Sequence, residues 1–161
     1  MNSSLPTLLR ASLVATAVGA TLVITGCGSA PMMSYGASST PMMATQSFRA
    51  TLSSAAEVPP NASPGTGSLE ATFDKASGVL RWKVSYSGLS GPATMAHFHG
   101  PALAGANAGV VVPLPSAASP AEGQATLTPA QVADLLAGKW YLNVHTAQNP
   151  GGEIRGQVLA N

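Results

Sequence analysis

The sequence predicts an all-β fold: an antiparallel Greek-key-like β-sandwich or flattened barrel with one short crossing helix. Three observations predict it. Apolar and polar residues alternate with a period of two through several short runs, turn-forming residues separate those runs, and 17 glycines and 13 prolines are spread along 161 residues without a period. That combination suits many short strands better than a helical bundle.

The first alternating run is Phe48-Arg49-Ala50-Thr51-Leu52, the second covers residues 69–73 and the third residues 80–86. Each has one apolar and one polar face, the pattern of an antiparallel strand set between a core and water. Asp74-Lys75-Ala76-Ser77-Gly78 makes a hairpin between the second and third. Further strands are expected at 94–99, 110–114, 123–127, 140–146 and 154–159. Residues 128–138 differ, opening with an N-cap threonine and Pro129 and closing on Gly138, the signals of a short helix. Its apolar stripe is Val132, Leu135 and Leu136. Asn149-Pro150-Gly151-Gly152 forms a tight turn. After it Ile154, Gly156 and Val158 face inward, while Glu153, Arg155 and Gln157 face outward or towards a neighbouring strand, with Glu153 and Arg155 read as a structural pair.

Charge is sparse, at 8% of residues with a formal net charge of +1, well below the usual quarter. So weak a field gives no hold on a polyanion, which excludes nucleic-acid binding through phosphate neutralisation. The single Cys27 can build neither an internal disulfide framework nor a paired-thiol metal site. No nucleophile stands beside a base, and there is no phosphate-cradling glycine loop, so hydrolase and kinase chemistries lack residues to carry them.

Residues 11–24 carry no charge and follow Arg10. They match the apolar core of a signal peptide and fall short of the about 20 residues that span a bilayer. Ile24-Thr25-Gly26-Cys27 resembles the bacterial lipobox, which implies a signal peptide over 1–26 and a lipidated, palmitate-bearing Cys27 as the new N-terminus. Two acyl chains and an acylated amine give stable membrane anchoring where one chain does not. Gly28 stands where an inner-membrane retention aspartate would, so the resemblance implies the outer membrane rather than the inner. The mature chain of 135 residues has no formal net charge.

Residues 27–46 are rich in Gly, Ser, Ala, Thr and Pro and hold no charge. Such a stretch cannot bury enough apolar surface to offset chain entropy and reads as a tether. Pro-Met-Met occurs in it twice, supplying Met32, Met33, Met42 and Met43. Thioethers are soft ligands that favour Cu(I), so copper capture by the tether is one reading and a low-complexity linker the other. The domain is expected over 47–161.

All three histidines fall in two of the expected strands. An extended 94–99 segment projects Met95, His97 and His99 to one face and Ala96 and Phe98 to the other. The same count places Tyr141, Asn143 and His145 together, opposite Leu142 and Val144. With Phe98, Leu142 and Val144 marking the core side, the histidines share the opposite face. His-x-His on one strand with a third imidazole from a neighbour can close a metal site, and Met95 would add a soft ligand that favours copper. Structural histidines bonded to the 100–107 loop are the competing reading. The first requires the three sets of imidazole nitrogens to converge, and the second lets His145 point elsewhere.

Ala96-His97-Phe98-His99-Gly100-Pro101, then Leu142-Asn143-Val144-His145-Thr146, then Asn149-Pro150-Gly151-Gly152-Glu153-Ile154-Arg155-Gly156-Gln157 together resemble the CHRD domain, found in chordin and in many bacterial exported proteins. Glu57-Val58-Pro59-Pro60, Gly65-Thr66-Gly67 and the Leu-Thr-Pro helix start at Leu127 fit the same family, over about 47–159. The His-x-His strand also resembles the copper-ligand strand of copper-zinc superoxide dismutase. That pattern needs more histidines, an aspartate and a disulfide, which disfavours a bimetallic site. The expectation is therefore a lipid-anchored, monomeric, non-catalytic protein of the cell envelope that meets the membrane through its anchor. It binds one copper ion through His97, His99 and His145, with Met95 as a further candidate ligand. A metal-free interaction module is the alternative and a dismutase-like redox enzyme the third.

Overall fold

Alternation in the sequence becomes strands in space. The computed structural model describes residues 44–161. The strands are β1 (Thr45–Ser53), β2 (Thr66–Asp74), β3 (Val79–Ser87), β4 (Ala93–His99), β5 (Val110–Pro113), β6 (Ala121–Thr126), β7 (Trp140–Thr146) and β8 (Ile154–Ala160), with a helix α1 (Pro129–Leu136) between β6 and β7. Strand β1 begins inside the stretch read as tether, taking Thr45 and Gln46 into the sheet. The leader, Cys27 and the four tether methionines lie outside the described residues.

All eight strands form one antiparallel sheet in the order β5-β4-β7-β8-β1-β2-β3-β6. The sheet curls until it is nearly closed. Trp82 on β3 and Phe98 on β4 stand far apart in that order, yet their rings meet edge to face with centroids 5.2 Å apart. Phe98 also packs on Trp140, at 5.8 Å. The interior is lined by the apolar members of each alternation, including Phe48, Leu52, Leu69, Phe73, Leu80, Val84, Leu142, Val144, Ile154 and Val158. Burying each such side chain contributes about 1.5–3 kcal/mol.

The turns follow their side-chain chemistry. In the β2–β3 hairpin the Asp74 carboxylate accepts from the backbone N–H of Ala76 at 2.8 Å, and Gly78 takes φ +70, a value that side chains disfavour. Helix α1 carries a reciprocal cap. The Thr128 hydroxyl accepts from the Gln131 N–H, and the Gln131 side chain accepts from the Thr128 N–H at 2.9 Å. Its stripe is narrower than the sequence suggests: Leu135 is fully buried and Val132 partly, but Leu136 is half exposed. Of the two positions about one turn beyond Val132, only Leu135 reaches the core.

Candidate metal centre

On β1, β2 and β3 the residues pointing away from the interior, such as Arg49, Glu70, Arg81 and Lys83, are exposed, as expected for a one-sided sheet. The same outer face of β4, β7 and β8 is different. Tyr141, Asn143, His145 and Arg155 are all buried there, and His99 is only 8% exposed; Glu153, just before β8, is buried as well. β7 is buried along its entire length.

Loops cover this polar face. The β4–β5 connection is held down by Arg155, whose guanidinium donates to the Asn107 side chain at 2.9 Å and the Ala106 carbonyl at 2.6 Å. Asn107 in turn donates to the Val58 carbonyl, and the Tyr141 hydroxyl bonds the backbone of Ala108. Glu153 and Arg155, read from sequence as a pair, are not ion-paired to each other. Glu153 accepts hydrogen bonds from the hydroxyls of Ser63, Ser90 and Thr146 and from the Ser90 N–H. Burial pushes that carboxyl up, but these donors outweigh it and hold it at about 2. Nothing in the sequence pattern pointed to these three hydroxyls, which lie up to 90 residues away.

Register builds the site. Met95 stands opposite His145, His97 opposite Asn143, and His99 opposite Tyr141. The nitrogens that His97, His99 and His145 can offer lie within 4.8 Å of one another. His97 Nδ1 is 3.2 Å from His145 Nε2. His145 thus turns towards the other two.

Two loop carbonyls settle which nitrogens are free. His99 Nδ1 lies 3.0 Å from the Ala108 carbonyl and His145 Nδ1 lies 2.9 Å from the Pro150 carbonyl. A carbonyl only accepts, so both Nδ1 atoms carry hydrogen, and in the neutral imidazoles both Nε2 atoms carry lone pairs. His97 Nδ1 must then donate to His145 Nε2. His99 Nε2 is buried with no partner, a condition that costs about 1–3 kcal/mol. Carbonyl bonds to the far nitrogen are how metal-binding histidines are commonly oriented. Burial holds His97 and His145 below the ordinary histidine range. The neighbouring imidazoles add to this, while the Pro150 carbonyl works against it for His145. The downward shift in both rings favours the neutral imidazole, the form that ligation requires.

His99 is further held by stacking. Its ring lies parallel to Tyr141, centroids 4.8 Å apart, and the Arg155 guanidinium sits 3.4 Å from the centroid of that tyrosine ring. Met95 is 49% exposed at the margin of the cluster. The structure also adds Glu57, which the sequence offered only as part of a motif. It is buried with Oε1 unpartnered, and burial pushes its carboxyl up to about 7 against the partial compensation of Arg155 and the Val58 N–H.

The model of the CHRD domain matches residues 48–158, from within β1 to within β8. The chain belongs to the CHRD domain family. All three histidines, Met95, Asn143, Tyr141 and Arg155 lie inside the matched span of the CHRD domain, whereas Cys27 and the tether methionines lie outside it. The CHRD domain is not a known enzyme family. No curated protein and no solved structure matches the chain.

Proposed function

We propose that this CHRD domain is a non-catalytic copper-binding module of the cell envelope. His97, His99 and His145 are the ligands. The observation that carries this is the convergence of the three imidazoles with two tautomers already fixed by Ala108 and Pro150, which leaves lone pairs on His99 Nε2 and His145 Nε2. Three imidazoles suit copper, zinc, nickel and iron alike. An envelope location, with Cys27 lipidated and the outer membrane as destination, favours copper among them because soft thioethers sit on the same chain. In this reading the chain is monomeric, and Met32, Met33, Met42 and Met43 form a separate Cu(I)-capturing element of the tether.

A second reading has one observation in its favour: His99 and His145 each tie a loop to the sheet, which a metal-free interaction module would also use. Copper and zinc titrations of the protein and of its His97→Ala variant separate the two. The metal reading expects one ion per chain and at least a hundredfold weaker binding in the variant. Equal affinity in both proteins leaves the interaction module. Loss of binding only when the four tether methionines are replaced moves the site to the tether. Cys27→Ser releases the protein from the membrane fraction if the anchor is correctly assigned.

A further inference from the structure

Three imidazoles leave one side of a four-coordinate ion open, and two side chains flank it. Met95 lies opposite His145 and is half exposed. Asn143 lies opposite His97, two residues along β7 from both His145 and Tyr141, and is 3% exposed. Register therefore places Asn143 directly across from His97 as a buried neighbour of the cluster, and Met95 across from His145 as an exposed one.

The hydrogen-bond pattern singles out the same residue. Five buried side-chain atoms lack a partner among the described residues: Trp82 Nε1, Glu57 Oε1, His99 Nε2, Asn143 Oδ1 and Gln157 Oε1. Trp82 lies in the barrel interior, and the other four belong to the covered face of β4, β7 and β8 or to the chain packed on it. His99 Nε2, Asn143 Oδ1 and Gln157 Oε1 are acceptors, given the tautomer of His99, and Glu57 Oε1 is one when its carboxyl is ionised. A buried acceptor without a donor calls for a partner that the protein does not supply, an ordered water or a cation. For Asn143, the amide Nδ2 is the branch turned towards Gly152 and Glu57, where a Cβ on Gly152 would fall 2.7 Å from Nδ2 and 2.5 Å from Glu57 Oε1. The Oδ1 branch is left with no donor.

We infer that Asn143 Oδ1 is the fourth donor of the site, in place of the Met95 thioether, so that the centre takes a divalent ion of the Cu(II) or Zn(II) class rather than Cu(I). This rests on the three-histidine reading above. Three imidazoles and one amide oxygen are a set for divalent ions with mixed nitrogen and oxygen ligation, whereas replacing the oxygen by a thioether would soften the site towards Cu(I). Met95 is then a surface residue of the rim.

The test uses the full chain in detergent with Cu(I) under reductant, Cu(II) and Zn(II) as probes, in wild type, Asn143→Leu, Asn143→Asp and Met95→Leu. Asn143→Leu is expected to weaken Cu(II) and Zn(II) binding at least tenfold, leave Cu(I) binding unchanged, and alter the Cu(II) electron paramagnetic resonance hyperfine splitting. Asn143→Asp keeps an oxygen, so it should restore divalent affinity while still changing the spectrum. This second variant decides the matter should Asn143→Leu fail to fold. Met95→Leu should change nothing. Unchanged spectra in both Asn143 variants, or loss of Cu(I) affinity in Met95→Leu, overturn the inference and leave the three-histidine site standing. Failure of the wild type to bind any of the three ions overturns both.

Discussion

His97 Nδ1 stands 3.2 Å from His145 Nε2, and because His145 Nδ1 donates to the Pro150 carbonyl, a neutral His145 can only accept there, which assigns the hydrogen to His97. The same separation is close to the edge of a tetrahedron of nitrogens around one ion, about 3.3 Å for bonds of 2.0–2.1 Å. Without metal the pair is a hydrogen bond, and in the proposed metal-bound form His97 Nδ1 and His145 Nε2 would both turn their lone pairs to the ion. Nitrogen-15 spectra of the metal-free protein should show His99 and His145 as Nδ1–H tautomers. Adding copper should shift the His97 Nδ1 and His145 Nε2 signals together. An Nε2–H tautomer at His99 would remove the lone pair on which the site depends.

Tyr141 holds His99 in two ways, by stacking on its ring and by bonding the residue whose carbonyl orients it. Tyr141→Phe keeps the stack and removes the bonds to Ala108. Orienting partners of this kind are typically worth 10–100-fold in metal affinity. The variant should lose about tenfold in copper binding with little change in melting temperature. Full affinity in Tyr141→Phe would mean the ring alone positions His99.

Glu57 should make stability fall with rising pH. Its folded value of about 7 lies above its ordinary value of 4.5, so the folded state holds the proton more tightly. The stabilisation is complete below 4.5 and is lost as pH rises through 7, by about 2 kcal/mol after allowing for relaxation of the site. The histidines run the opposite way, so the difference between wild type and Glu57→Gln isolates the carboxyl. Denaturant titrations should find the variant gaining on wild type between pH 5 and 8, and parallel curves would refute the assignment.

Glu153 is the reverse case. Held at about 2 by its hydroxyl and N–H donors, it stabilises the fold above pH 4.5, and that contribution disappears as pH falls through 2. Glu153→Gln leaves several of those donors without a charged acceptor. It should cost about 3 kcal/mol at neutral pH, measured by chemical denaturation, and a change below about 1 kcal/mol would show that the cradle of Ser63, Ser90 and Thr146 re-forms around the amide.

Most strands were legible because alternation is a local signal. Residues 140–146 are strand β7 as counted, and the apolar positions Phe98, Leu142 and Val144 do mark the interior, which put the three histidines on one face. The loops over that face were not legible. Nothing local says that Arg155 bonds residues 106 and 107, or that Glu153 gathers hydroxyls from Ser63, Ser90 and Thr146. Those contacts depend on strand order, and strand order depends on crossovers that no turn motif encodes. The same gap explains Glu57 and Asn143. Each is an ordinary polar residue in sequence and acquires its character only when chain from elsewhere buries it. Leu136 errs in the other direction, since its stripe position reads as core while the helix buries only Leu135 fully.

The three-histidine centre is tested most directly by copper K-edge X-ray absorption on the protein loaded with one equivalent of copper. Three imidazole nitrogens at about 2.0 Å with their outer-ring scattering, reduced to two in His97→Ala, are the predicted result. A first shell dominated by sulfur, or one or no imidazole in the wild type, would contradict the assignment of His97, His99 and His145 as the ligands.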